Sequence, residues 1–156
     1  MNIERAIRRE CLKLIRRHQL NVAKKREMAE FYQKKTGELG TVGEAAPSHW
    51  QVDPTFNPFK TRSMAHVVAK SLDRQLREGS YEPRPAVVVK HDKPAGGTRQ
   101  ISISPVADAG LAALCFRRIQ RRNQHRLSPY SFAYRFDVGV HEAIDCGWNA
   151  PWLSNK

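Results

Sequence analysis

Three cations stand around a turn in the middle of the chain. Lys90 ends a β-branched run (Ala86-Val87-Val88-Val89-Lys90), Lys93 opens the turn Lys93-Pro94-Ala95-Gly96-Gly97, and Arg99 heads an alternating run, Arg99-Gln100-Ile101-Ser102-Ile103. An ammonium supplies a mobile point charge and a guanidinium a planar fork, a combination suited to the oxygens of a triphosphate. The Gly-Gly pair gives the backbone freedom to turn. Two strand-like runs about such a turn predict a β-hairpin with Ile101 and Ile103 on its buried face. Alternation puts Arg99 on that same face, where it emerges at the tip. The plainer role for Arg99 is a solvated strand-end charge or a surface ion pair with Asp92, worth about 0–1 kcal/mol. The turn is not a P-loop, because no GxxxxGK[ST] follows a strand.

A second basic group follows. Arg117, Arg118, Arg121 and Arg122 fall on the outer side of a predicted helix, and Tyr130, Tyr134 and Arg135 lie in an aromatic and basic stretch behind it. Cationic side chains interleaved with aromatics suit phosphate contact and base stacking. Metal chemistry finds no such support. Cys11, Cys115 and Cys146 form no CxxC pair, and His18, His49, His66, His91, His125 and His141 are scattered without ligand spacing. Reduced thiols and no zinc site are expected.

The elements that must position these groups follow from periodicity. Residues 2–35 contain no Gly or Pro, and Ile3, Ile7, Cys11, Leu14 and Ile15 recur at helical spacing. Arg5, Arg8, Arg9, Lys13, Arg16 and Arg17 crowd its other faces, with Lys24, Lys25 and Arg26 beyond. Such a helix is either solvated and docked by one stripe or in contact with RNA, and the two are compatible. Residues 36–49 hold three glycines and a proline and read as a linker. The segment WQVDPTFNPF sets three aromatics among two prolines and suggests an extended, docked stretch. Residues 63–78 predict a helix capped by Ser63, ended by Gly79, with Met64, Val67, Val68, Ser71, Leu72, Gln75 and Leu76 on its core face. A further helix opens with Pro105 at its first position and Asp108 in its first turn. It runs to about Asn123 with Leu111, Leu114, Cys115 and Ile119 inward, and a short helical patch spans residues 141–144.

Composition limits the class of function. The chain has 156 residues, 40% hydrophobic and 27% charged, with 27 Lys and Arg against 15 Asp and Glu, a formal net charge of +12 and a pI of 10.1. That length allows one domain with a modest core, and that charge suits a polyanionic partner. No run approaches the roughly 20 apolar residues of a spanning helix. The N-terminus has no apolar signal core, and Glu4 and Glu10 do not fit a transit peptide, so a cytoplasmic protein with no membrane partner is expected.

The order of the parts is more specific than any one of them. Lys90, Gly96-Gly97-Thr98-Arg99, the hydrophobic strand ending in Pro105, the helix led by Asp108, residues 128–135 (Ser-Pro-Tyr-Ser-Phe-Ala-Tyr-Arg) and His141-Glu142-Ala143-Ile144 follow one another. This succession resembles the fingers region of bacterial and group II intron-type reverse transcriptases over residues 60–148. The wording Phe-Asn-Pro-Phe and Tyr-Glu-Pro-Arg-Pro is most similar to the defence-associated, antiviral branch. The resemblance implies an α+β fold: a fingers subdomain of a polymerase right hand, helices around a β-hairpin, with a long basic N-terminal helix. Residues 1–35 are then the helix, 36–49 the linker, and 50–156 the fingers region. It implies that Lys90, Lys93 and Arg99 meet the incoming dNTP. Arg117, Arg118, Arg121, Arg122, Tyr130, Tyr134 and Arg135 would hold RNA template and DNA, with Phe132 among the stacking aromatics. Departures are Ala133 where the family has Gly, and Arg135-Phe136-Asp137 where Arg-Pro-Gly is usual.

The family's two Mg²⁺ ions, about 3.5–4 Å apart, are held by palm carboxylates. No matching Asp strand or Tyr-x-Asp-Asp hairpin occurs; Asp137 precedes Val138, and Asp145 precedes Cys146-Gly147-Trp148. The resemblance therefore implies a fingers portion truncated before its palm, or one that works with a separately encoded palm, with apolar surface exposed near Phe132 and Trp148. A non-enzymatic RNA- or DNA-binding protein is the alternative; it accounts for the charge and the aromatics but not for the order from Lys90 to Arg99. The chain by itself is expected to extend no primer in Mg²⁺ or Mn²⁺, which a templated incorporation assay with pure recombinant protein checks. Incorporation above background would overturn that expectation.

Overall fold

A computed structural model describes residues 2–38, 46–93, 96–126, 128, 132 and 138–148, the last two of these by their backbone alone. The protein mixes helices with one two-stranded antiparallel sheet, an α+β composition. It divides into two compact units, Met1–Leu114 and Cys115–Lys156.

Helix α1 (Ile3–Thr36) has both ends closed by short-range hydrogen bonds. Asn2 Oδ1 accepts from the Arg5 amide at 2.9 Å, and Gly37, at φ 75°, donates its N–H to the Gln33 carbonyl. Ile3, Ile7, Cys11 and Ile15 are buried at four-residue intervals, and Leu14 is packed beside them. None of the residues after Ile15 in α1 is buried.

The aromatic segment is helical rather than extended. It forms α2 (His49–Val52), a 3₁₀ turn (Pro54–Phe56) and α3 (Pro58–Ser63). The reason is local. Asp53 Oδ1 accepts from the Thr55 amide at 2.8 Å, and Asn57 Oδ1 accepts from the amides of Phe59 and Lys60. Each Asx residue caps a turn whose first position is a proline with φ already set. Trp50 and Phe56 are buried, whereas Phe59 is half exposed.

Helix α4 (Ala65–Glu78) ends at Gly79, which adopts φ 69°, as the sequence requires. Its start and its face differ from expectation. Ser63 is the last residue of α3 and donates its hydroxyl to the Lys60 carbonyl, so it caps nothing, and Met64 precedes α4 without a side-chain cap. The buried residues are Ala65, Ala69 and Leu72, with Val68 and Leu76 packed beside them; Met64 and Val67 are exposed. The face is rotated because two alanines let α1 and α4 approach closely. Glu4 on α1 also meets His66 Nδ1 at 3.0 Å and Arg8 Nε at 2.8 Å, contacts that lower its carboxyl pKa below the usual value.

Strands β1 (Val87–Asp92) and β2 (Thr98–Ile103) form the hairpin, with Val87 opposite Ile103 and Asp92 opposite Thr98. Ile101 and Ile103 are half-buried, not buried, because a two-stranded sheet covers little of itself. Helix α5 (Val106–Asn123) begins one residue after Pro105, whose carbonyl accepts from the Ala109 amide. Val106, Gly110 and Leu111 are buried and Leu114 is partly so, but Cys115 and Ile119 are exposed, contrary to expectation. The core contribution of α5 ends at Leu114. In the second unit, α6 (Val140–Trp148) extends the helical patch in both directions. Phe132 is half-buried, and the side chain of Trp148 lies outside the described residues.

Ile7, Cys11, Ala65, Ala69, Leu72 and Val106 join in one core, and α5 crosses α1 at Gly110. A Cβ at Gly110 would lie 3.1 Å from Ile7 Cα and 3.3 Å from Ile7 N, so the crossing is built on the absence of a side chain. Alanine would gain about 1 kcal/mol in helix propensity but force a backbone shift costing about 1–3 kcal/mol. Gly110→Ala should therefore be destabilising by about 1 kcal/mol, and Gly110→Val by considerably more. Urea denaturation measures this, and thiol labelling gives a second readout. Burial raises the pKa of the Cys11 thiol to about 11, so Cys11 should react only on unfolding, whereas exposed Cys115 reacts at once. Unchanged midpoints in both variants would contradict the crossing.

Candidate nucleotide and nucleic-acid interface

The hairpin turn is shaped by its own backbone. The Lys93 amide donates to the Gly97 carbonyl at 2.9 Å, and the Gly96 amide donates to the Lys93 carbonyl at 3.0 Å. Gly96 and Gly97 sit at φ 88° and 83°, the left-handed region that side chains disfavour. The turn therefore needs both glycines, and it fixes where Lys93 leaves the sheet.

Register then sorts the side chains by face. Residues directly opposite in an antiparallel pair share a face, and successive residues alternate. Arg99 pairs with His91 and shares its face with Val89, Ile101, Val87 and Ile103. Lys90 pairs with Gln100 and lies on the opposite face, with Asp92 and Thr98. Arg99 and His91 thus share one face next to the turn that holds Lys93, while Lys90 projects from the other face. Of the two plainer roles, the Arg99–Asp92 ion pair is not formed, since the two residues project to opposite sides; an exposed strand-end charge is what the structure has. Among the described residues Arg99 has no ion-pair partner, and both it and Lys93 are exposed.

The chain entering β1 is tied to the helix that follows β2. The Tyr81 hydroxyl donates to Asp108 Oδ1 at 2.7 Å, a partly buried bond to a carboxylate in the first turn of α5. A carboxylate there is also favoured by the helix dipole. Beside this bond lies a cavity of about 490 Å³, walled by Met64, Val67, Val68, Leu72 and Tyr81 and edged by Arg84. It accounts for the exposure of Met64 and Val67. Sequence reading missed Tyr81, His91 and the cavity. Strict counting by two from Val87 would have found His91 beside Arg99; nothing local announces Tyr81 as the partner of Asp108.

In the second unit Arg118, Arg121 and Arg122 are exposed along α5, and Arg117 is half-buried. Tyr130, Tyr134 and Arg135 lie outside the described residues. Among the described residues no three His, Cys, Asp or Glu side chains come together as a metal site, so they do not assemble the carboxylate set that a pair of Mg²⁺ ions requires. No helix among them is long and apolar enough to cross a membrane.

No protein-family model matches the chain, and no curated protein matches it.

Arg118, Arg121 and Arg122 form a row of neighbouring exposed guanidiniums on α5. Replacing Arg118, Arg121 and Arg122 together with Gln should weaken single-stranded RNA binding and reduce the slope of log affinity against log salt by about 2, at roughly 0.7 per lost phosphate contact. Fluorescence anisotropy across a salt series measures it; an unaltered slope would remove these arginines from the interface.

Proposed function

We propose that the chain is a fingers-type module of a reverse transcriptase, gripping template RNA or DNA and meeting the phosphates of an incoming dNTP at the hairpin. Arg99 carries this reading: an exposed guanidinium without an ion-pair partner among the described residues, on one face of a hairpin whose Gly-Gly turn has Lys93 at its other end. A planar fork with no carboxylate partner among the described residues of a basic protein suits phosphate oxygens, which it would bind by charge-assisted hydrogen bonds. The helix led by Asp108 follows the hairpin directly, in the order seen in the fingers region of that family. Lys90 stands apart from the triphosphate in this arrangement and serves the other face. Polymerisation itself would draw on palm carboxylates and their Mg²⁺ from outside the described residues, with RNA-directed DNA synthesis as the activity of the whole.

A non-enzymatic RNA- or DNA-binding protein is the second reading, favoured by the absence of a converging carboxylate set among the described residues. Nucleotide binding separates the two. In an NMR titration of the chain with dGTP, the amides of Gly96, Gly97 and Arg99 should shift saturably. Arg99→Ala should raise the dissociation constant about tenfold, the equivalent of about 1.4 kcal/mol. Arg99→Lys should recover part of this, because a point charge replaces only part of a fork. Lys90→Ala should change it less than about threefold. If wild type and all three variants bind dGTP alike, or none binds, the hairpin is not a nucleotide site and the second reading stands.

A further inference from the structure

The distal half of α1 is a second, separate surface. Among the described residues the last ring contact from α1 to another element is that of His18 with Trp50, ring centroids 5.0 Å apart; Phe31 and Tyr32 meet only each other edge to face, and no residue from 19 to 36 is buried. Most helical stability in proteins comes from packing an apolar face, and this half packs none into the core. Its exposed large side chains are Leu20, Met28, Phe31 and Tyr32, each more than half exposed. Arg17, Leu20, Lys24, Met28, Phe31 and Lys35 follow one another at spacings of three or four residues, so they form one ridge along the helix. At 1.5 Å per residue that ridge is about 27 Å long. Over residues 16–36, seven Lys and Arg side chains accompany only two carboxylates, Glu27 and Glu30.

We infer that this ridge binds single-stranded nucleic acid, its cations on phosphates and Phe31, with Tyr32 beside it, stacking on bases. Charge complementarity selects a polyanion over a second copy of this chain, whose ridge would carry the same charge. The mixing of cations and apolar groups within one stripe selects a strand over a bilayer. A helix lying in a membrane surface divides its charged and apolar residues between two faces, whereas backbone phosphates alternating with splayed bases match an alternation of Lys and aromatic side chains. The inference does not rest on the reading of the hairpin.

The test uses the full chain, a fluorescein-labelled 20-nucleotide oligo(U) and no dNTP, so its failure says nothing about Arg99. Lys24→Gln/Lys35→Gln should weaken binding at least tenfold and lower the salt slope by about 1.4. Lys70→Gln/Arg74→Gln, which removes the same charge from exposed positions on α4, should change affinity less than about twofold. Phe31→Ala should weaken binding at least fivefold with the salt slope unchanged, and Phe31→Trp should restore it. Helical content is checked by circular dichroism. For any variant that loses helix, photocrosslinking of wild type to 4-thiouridine RNA decides, with the label expected on the peptide bearing Phe31 and Tyr32. Equal losses in the two charge-removing doubles, wild-type binding by Phe31→Ala, or crosslinks only elsewhere would overturn the inference. So would ridge variants that impair only binding to phosphatidylserine vesicles, or only self-association in sedimentation.

Discussion

The fold depends on how closely two helices can pass. Ile7 is fully buried, and the backbone of α5 lies against it at Gly110, where a single methyl group would crowd the Ile7 main chain at 3.1 Å. That approach brings Val106 into the same core as Ala65 and Ala69 of α4, so three helices share one small set of contacts. Small residues do most of this. They let main chains approach, and dispersion contacts accumulate only where atoms are within a few ångströms. The cost is low tolerance, because a core built on close approach has no slack to absorb added volume.

The hairpin inherits its position from that core. Its strands are half-buried at best, and a two-stranded sheet has little stability of its own. What holds its two ends is the Tyr81–Asp108 hydrogen bond on one side and Pro105, fully buried, on the other. The cations at the tip are therefore carried by a projecting element whose base is fixed and whose end meets solvent.

Sequence periodicity was a good guide wherever one rule acted alone. The four-residue recurrence of Ile3, Ile7, Cys11 and Ile15 named the buried face of α1, and Gly79 and the Gly96-Gly97 pair marked a helix end and a turn through their backbone conformations. It failed where rules competed. In α4 the larger side chains Met64 and Val67 suggested the core face, yet close helix packing chose Ala65 and Ala69, and the larger groups were left lining a cavity. The Asp53-Pro54 and Asn57-Pro58 pairs looked like breaks in an extended segment but are helix starts, because the Asx side chain and the fixed proline φ cooperate. At the candidate site, charge and order were legible, whereas the face of each cation was not, since it depends on a register set by the turn. The partnership of Tyr81 with Asp108 spans 27 residues and leaves no local trace.

The hairpin is all edge. Among the described residues each strand pairs on one side only, and its other side has no strand partner. Val87-Val88-Val89 is the kind of β-branched segment onto which another extended chain can add itself. What stands against this are the charges at Lys90, Asp92, Lys93 and Arg99, which make a second, similarly charged strand an unwelcome neighbour. Two of these side chains, Lys93 and Arg99, are the ones proposed to meet phosphate, so they would also act as gatekeepers against aggregation. Their replacement by apolar residues is constrained twice over, once by binding and once by solubility, and drift at these positions should run toward other polar groups.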